Sequence, residues 1–316
     1  MKTPDITLII TNWNGTDLLR ECLPSILKAV DFDSKRSYQI MVVDDYSSDD
    51  SLKILEEEFP DVTRLKTPFN MGFQRANNYG IEQTQSRLVM PMNNDIKLDE
   101  DALFFLAEHF KKENVFSVSG KFFGFDGKTF LYGNRGGYFR NGHFYLYEKA
   151  DDDNSQTLFA CGGAFMVDRE RYLELGGFDN LYHPLYYEEI DLSYRALKRG
   201  WEVHYEPKST AYHKVQSTIT KQEKKRSIEL ISARNNYLFV WKNILDPSLT
   251  LQFIIFIPLF LIRDLFKFKS RFWIAFFMAL KRMPAALKSR KEEKLNALFS
   301  DHEILRKINI NSEYRT

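Results

Sequence analysis

Tyr38-Gln39-Ile40-Met41-Val42-Val43-Asp44-Asp45-Tyr46-Ser47 is an apolar run that stops at two carboxylates. A short apolar run of this kind reads as a buried strand. In an open α/β sheet, residues placed straight after a strand sit at its carboxyl end, where ligands bind. The layout returns at residues 88–92, which run into Asn93-Asn94-Asp95. The flanking segments agree. Residues 6–11 are an Ile-rich strand, broken by Asn12-Trp13-Asn14-Gly15. Thr16 or Asp17 can cap a helix with Leu18, Leu19, Cys22, Leu23, Ile26, Leu27 and Val30 on its apolar face. Ser48 or Asp49 caps a helix to Phe59, residues 62–65 form a strand, and 73–83 a helix. Asp99 caps a helix to about Lys111, and 115–119 form another strand. Strand and helix thus alternate to about residue 120. The expected fold is α/β, a mostly parallel, Rossmann-like sheet flanked by helices.

Beyond residue 120 the pattern changes. Residues 121–150 are dense in Gly, Phe and Tyr and read as irregular strands or hairpins, and 150–155 as an exposed acidic loop. Residues 159–167 read as a strand interrupted by Gly162-Gly163. A short helix at 169–175 ends at Gly176-Gly177, a second at 189–199 ends at Gly200, and a late strand covers 201–205. There is no Gly-x-Gly-x-x-Gly after the first strand and no Gly-x-x-x-x-Gly-Lys loop. Any diphosphate therefore needs another device to hold it.

The chain has 316 residues, 44% hydrophobic and 28% charged, which suits a packed core and excludes global disorder. Its formal net charge of +1 gives no push toward nucleic acid. Cys22 and Cys161 cannot build a disulfide framework, so a reducing compartment is expected. No signal peptide is expected ahead of the first strand, and the expected location is cytoplasmic or peripheral on the cytoplasmic face of a membrane. The overall balance hides an asymmetry. Residues 214–294 hold 17 Lys or Arg against 6 Asp or Glu. Within them, the apolar runs 251–262 and 272–280 fall short of the roughly 20 residues that span a bilayer. Arg263, Lys267, Lys269, Arg271, Lys281 and Arg282 flank them. The runs read as helices lying on an anionic membrane surface, or as a hairpin packed on the rest of the chain or on a second subunit of a homodimer.

Several residues can carry chemistry. Asp44 can accept the N–H of a pyrimidine base or a ribose hydroxyl; Asp45 can do the same or cap the next helix. Asp95 can bind a hard divalent cation bridging two phosphates, Mg²⁺ or Mn²⁺, while Asn93 and Asn94 suit sugar hydroxyls. The bland alternative for that segment is an Asx turn. Glu188, Glu189 and Asp191 crowd the start of a helix, where capping alone would explain one or two of them. Mutual repulsion should raise at least one pKa, which suits a general base. His213 is the best candidate for a second metal ligand beside Asp95, against an ordinary structural histidine.

These segments together resemble an inverting glycosyltransferase of family 2 with the GT-A fold. Residues 9–15 resemble that family's first strand and loop, and 42–49 (VVDDYSSD) its nucleotide motif. Residues 70–80 (NMGFQRANNYG) resemble a segment of its rhamnosyltransferase-like members, and Asn93-Asn94-Asp95 their variant of Asp-x-Asp. Residues 160–167 resemble the acceptor-side strand, and Glu188-Glu189-Ile190-Asp191-Leu192 the Glu-Asp-x-Asp-Leu motif. The resemblance implies a catalytic unit over residues 1–215, with a nucleotide-binding half (1–120) and an acceptor half (121–215), followed by a basic helical extension over 216–316. It implies donor binding by Thr11, Asn12, Asp44, Asp45, Asn70, Gly72, Arg75, Asn93 and Asn94. Arg234, downstream of a basic loop at 221–226, resembles a residue these enzymes carry near the diphosphate. Asp95, with His213, would hold Mg²⁺ or Mn²⁺. Glu189 stands where the family has Asp, and both it and Glu188 remain candidate bases, with Asp191 beside them. The implied donor is a UDP- or dTDP-linked sugar. The implied acceptor is a saccharide or lipid-linked saccharide, in cell-surface polysaccharide or glycolipid synthesis. A nucleotidyltransferase and a non-catalytic carbohydrate-binding subunit are the rival readings.

Overall fold

The first four strands form the parallel half of the sheet. They are β1 (Ile6–Asn12), β2 (Tyr38–Asp44), β3 (Thr63–Lys66) and β4 (Leu88–Asn93). β1 pairs with β2 and β4, and β3 lies outside β2, all parallel. The computed structural model describes residues 3–149, 156–214, 222–266 and 270–309, so the acidic stretch 150–155 lies outside the described residues. Ile6, Leu8, Ile9 and Ile10 are all buried, as a strand covered on both faces requires. α1 (Thr16–Phe32), α2 (Ser51–Glu57) and α3 (Phe73–Glu82) provide the crossovers. α1 turns Leu19, Cys22, Leu23, Ile26 and Ala29 inward.

The second half of the sheet is mixed. β5 (Ile96–Leu98) is followed by α4 (Ala102–Glu108), a short 3₁₀ turn, then β6 (Val115–Gly124) and β7 (Phe130–Tyr132). A separate hairpin, β8 (Arg135–Arg140) and β9 (His143–Glu148), turns at Asn141-Gly142. Both turn residues have positive φ, the pairing that matches the twist of two strands. β10 (Met166–Asp168) inserts antiparallel between β4 and β6. α5 (Arg169–Glu174) and α6 (Glu188–Lys198) precede β11 (Glu202–His213). The order is β3-β2-β1-β4-β10-β6-β11-β5, with β7 on β6.

Three expectations need adjusting. The strand expected over 159–167 is regular only at Met166–Asp168, with Ala164 bridging Met92. The strand expected over 201–205 runs on to His213 through a register shift between Tyr205 and Thr210. Pro207 lies within that shift and has no N–H for the ladder. The basic loop expected at 221–226 is, from Gln222 on, the start of a helix.

The C-terminal segment is helical: α7 (Gln222–Asn243), α8 (Pro247–Phe266), α9 (Ser270–Leu280), α10 (Met283–Asn296) and α11 (Asp301–Ile308). It shares one core with the sheet, from Ile6 to Ile308. A capping box of Ser300 and Glu303 starts α11. Buried Asp301 then accepts from the Tyr194 hydroxyl at 2.8 Å and pairs with Lys198 at 2.8 Å. Asn309 donates to the Gly137 carbonyl at 2.8 Å and accepts from the Tyr147 hydroxyl at 2.7 Å. α11 is thereby fastened to α6 and to the hairpin.

Candidate active site

The carboxyl ends of β1, β2 and β4 open into a cavity of about 1550 Å³. Ligand pockets commonly measure about 300–1,000 Å³, so there is room for more than one substrate. Thr11, Asn12, Asp45, Asn70, Gly72, Asn93, Asn94 and Asp95 all line it. So do Glu188, Glu189 and His213, which come from far downstream.

The two carboxylates after β2 have separate positions. Asp44 is fully buried behind the wall. It accepts from Asn12 Nδ2 at 3.2 Å and from the Ser47 backbone N–H at 3.0 Å. Asp45 faces the cavity, and its carboxylate accepts from the backbone N–H groups of Met71 (2.7 Å) and Gly72 (2.8 Å). It therefore ties the 70–72 loop to the end of β2. Asn12 links β1 to β4, accepting from Asn94 Nδ2 at 2.7 Å. Arg75 is exposed on α3 and Arg234 is buried behind the wall; neither lines the cavity.

Arg234 donates to the carbonyls of Tyr182 (3.2 Å) and His183 (2.8 Å). Burial and the neighbouring Arg282 lower its pKa to about 10. Asn235 adds bonds to the carbonyls of Tyr182, Leu185 and Tyr186. Together they fix the segment that puts His183, Pro184, Leu185 and Tyr186 on the cavity wall. Tyr186 and Tyr187 both have positive φ, which costs free energy in a non-glycine residue. The Asn235 bond to Tyr186 O (2.7 Å) and the Asn236 bond to the Tyr187 hydroxyl (2.6 Å) hold them there.

That conformation delivers the acidic cluster. Tyr187 is the N-cap of α6, and Glu188 and Glu189 occupy its first turn. Glu189 Oε2 is buried without a hydrogen-bond partner. A Cβ on Gly162 would stand 3.0 Å from the Glu189 carboxyl carbon, so the Gly162-Gly163 break in the strand leaves this carboxyl its space. Burial raises the pKa of Glu189, opposed by its own backbone N–H and by the charge of Arg135. Glu188 is raised further, by burial and then by the charge of Glu189. The two carboxyls are neighbours in a buried site, so a charge on one opposes a charge on the other. Arg135 pairs with Glu148 at 2.8 Å.

Asp191 does not join the cluster. It is fully buried and absent from the cavity wall. Arg195 Nε (2.7 Å), Lys242 Nζ (2.9 Å), Asn243 Nδ2 (2.8 Å) and the Tyr182 hydroxyl (2.9 Å) all donate to it. Although burial works against ionisation, Arg195 and Lys242 prevail and lower its pKa to about 2. Its role is to bind α6 to α7, because an acceptor so fully engaged has no free lone pair for substrate.

The two residues expected to share a cation lie side by side: His213 Nε2 is 3.2 Å from Asp95 Oδ1. The extension of β11 past residue 205 carries His213 there, paired with Ile96 of β5. The Tyr132 hydroxyl sits 2.7 Å from His213 Nδ1. A hydroxyl can donate or accept, so Nε2 can either donate to Asp95 or offer its lone pair to a cation. Among the described residues no group of three or more His, Cys, Asp or Glu could enclose a metal. One carboxylate and one imidazole facing a wide cavity suit Mn²⁺ or Mg²⁺ completed by phosphate oxygens and water. Tyr132 and Arg135 escaped the sequence reading, because the 121–150 stretch has no period that says which aromatic or basic side chain points inward.

The description "Glycosyl transferase family 2" matches residues 7–176. The chain belongs to that family. Among curated relatives, the poly-beta-1,6-N-acetyl-D-glucosamine synthase of Staphylococcus aureus is 24% identical over 234 residues, covering 68% of this chain and 51% of its own. The namesake from Staphylococcus epidermidis is 24% identical over 230 residues, with the same coverage of 68% and 51%. The chain thus spans about half the length of the curated relatives it matches. Similar solved structures include GalNAc-T7 with UDP, GalNAc and Mn²⁺, with TM-score 0.58 and 15% identity over 76% of this chain and 48% of that one. A Pyrobaculum calidifontis mannosyltransferase with GDP-Man and Mn²⁺ has TM-score 0.57 and 16% identity over 93% and 74%. Residues 1–349 of Staphylococcus aureus TarS give TM-score 0.52 and 15% identity over 93% and 83%. At these identities the likeness is one of fold, an α/β sheet flanked by helices with a C-terminal helical region.

Proposed function

We propose that this chain transfers a sugar from a UDP- or dTDP-linked donor to an acceptor hydroxyl with inversion. The product is a cell-surface polysaccharide or glycolipid intermediate, made at the cytoplasmic face of a membrane. The observation that carries this reading is the placement, in one cavity, of the unpartnered Glu189 Oε2 and the Asp95–His213 pair. Glu189 accepts the acceptor hydroxyl proton as that oxygen attacks the anomeric carbon. The bond from that carbon to the diphosphate oxygen breaks, and the nucleoside diphosphate leaves. Glu188 accepts from Gln74 Nε2 at 3.4 Å, which leaves Glu189 as the carboxyl with an unpartnered oxygen for the acceptor. Asn12, Asp45 and the 70–72 loop form the nucleotide end, with Asp44 bracing Asn12 from behind. A Mg²⁺ or Mn²⁺ ion held by Asp95 and His213 would neutralise charge on the departing diphosphate. The likeness of residues 70–80 to rhamnosyltransferase-like members favours a deoxysugar donor. The name of the synthase relatives, a poly-beta-1,6-N-acetyl-D-glucosamine synthase, favours a polysaccharide product. Tyr145 and Tyr186 on the cavity wall suit stacking against an acceptor sugar.

The test is a panel of nucleotide sugars with Mn²⁺, read by thermal shift and by nucleoside diphosphate release without acceptor. One donor should both stabilise the protein and be slowly hydrolysed. Release of pyrophosphate from a triphosphate would transfer the site to nucleotidyl chemistry, and binding without metal-dependent turnover would leave a carbohydrate-binding subunit.

A further inference from the structure

The helices beside the cavity leave an apolar stripe in solvent. Leu249, Ile257 and Leu261 of α8 pack inward. Leu251, Ile254, Ile255, Leu259, Ile262 and Phe266 face outward, 49% to 78% exposed. Their spacing of three and four residues places them along one side of a helix about 30 Å long. The adjoining α9 adds Ile274 (40% exposed) and Phe277 (54%). A helix that is apolar all round is normally buried in protein or in lipid, and a continuous exposed patch marks an interaction surface.

Charge chooses between a second copy and a bilayer. Residues 247–282, which span the stripe, hold six Lys or Arg against one Asp. A two-fold pairing would set this net positive charge against itself. An anionic lipid surface would attract it. Arg263 lies near the end of α8, Lys281 directly follows α9, and the sequence between the helices contributes Lys267 and Lys269. Among the described residues no helix is long and apolar enough to cross a membrane, so the stripe would lie in the plane of the interface. α9 also reaches the cavity: its Phe272 lines the wall beside Ile228 and Ala233 of α7.

We propose that the α8–α9 face seats on an anionic bilayer, and that the acceptor is a lipid-linked saccharide that reaches the cavity past Phe272 without leaving the bilayer surface. The acceptor half of this statement rests on the transferase reading; the docking surface stands without it.

The experiment compares the full chain with an Ile255→Glu, Leu259→Glu double variant. Both side chains are already in solvent and outside the cavity wall, so folding and basal chemistry should survive. Each protein is floated with vesicles of phosphatidylcholine alone or mixed with phosphatidylglycerol, at low and high salt. Nucleotide-sugar hydrolysis and the thermal midpoint are measured in parallel. The wild type should float with anionic vesicles and be released by salt. The variant should lose at least tenfold of that binding at unchanged midpoint and hydrolysis. A wild type that ignores anionic vesicles, or a variant that floats equally well, overturns the proposal. So does a wild-type dimer that the variant splits without any lipid binding. A wild type that floats but hydrolyses no nucleotide sugar supports the surface and sinks the transferase reading instead.

Discussion

Replacing Asp191 with Asn should unfold this protein at lower temperature and leave its chemistry nearly intact. The carboxylate receives two cations, an amide and a hydroxyl from α6, α7 and the segment before α6, with no exposure. Its pKa falls from 3.8 to about 2 in the folded chain. A displacement of nearly two pH units, at about 1.4 kcal/mol each, corresponds to about 2.5 kcal/mol of stability. Because the folded pKa is the lower one, this stability is fully present above about pH 4 and drains away as pH falls toward 2. Asn keeps the shape but leaves Arg195 and Lys242 buried around a neutral group, and breaking a buried pair costs about 3–5 kcal/mol. At about 2–4 °C per kcal/mol for domains smaller than this one, the midpoint at pH 7 should drop by roughly 6–20 °C. The gap between variant and wild type should narrow as pH falls from about 4 toward 2, where the wild-type carboxylate also protonates. Calorimetry across pH, with kcat measured well below both midpoints, reads both effects. A variant with the wild-type midpoint but a hundredfold lower kcat would refute the reasoning and make Asp191 a group that touches substrate.

Glu189→Gln should bind donor normally and lose about 10²–10⁴-fold in kcat, whereas Glu188→Gln, at a carboxyl already engaged by Gln74, should retain most of it; the reverse ranking in steady-state kinetics would exchange their roles. The acid limb of the wild-type kcat/KM profile should lie above the ordinary glutamate range, because burial raises Glu189, and should vanish in Glu189→Gln. Asp95→Ala should weaken nucleotide-sugar binding in Mn²⁺ and respond little to EDTA; wild-type turnover indifferent to EDTA would end the metal reading. Tyr132→Phe should weaken Mn²⁺ binding, measured by calorimetry with nucleoside diphosphate present, by about 10–100-fold, since loss of an outer-shell partner typically costs that much. Unchanged affinity would return the Tyr132–His213 bond to a purely structural role.

Much of this protein is legible in one dimension. The alternation of apolar runs and amphipathic helices up to residue 120 specifies the parallel half of the sheet, because each strand and crossover is built from neighbours in sequence. The same local logic places Asp45, Asn94 and Asp95 at strand ends, where the cavity opens. What sequence alone left undecided depends on contacts between distant segments. Asp191 sits in the same motif as Glu189, yet a two-residue step, about 200° around α6, points it at Arg195 and Lys242 and away from the cavity. Asp44 and Asp45 are adjacent, and strand alternation sends one behind the wall and the other into it. Arg234 becomes a brace for the 182–186 segment only because α7 packs against it. His213 reaches Asp95 because β11 continues past a register shift that propensity does not foresee. Propensity and period act over a few residues, whereas burial and charge pairing are settled by which side chains the closed fold brings within about 3 Å of each other. Tertiary packing therefore decided which carboxylates brace the structure and which are free to do chemistry.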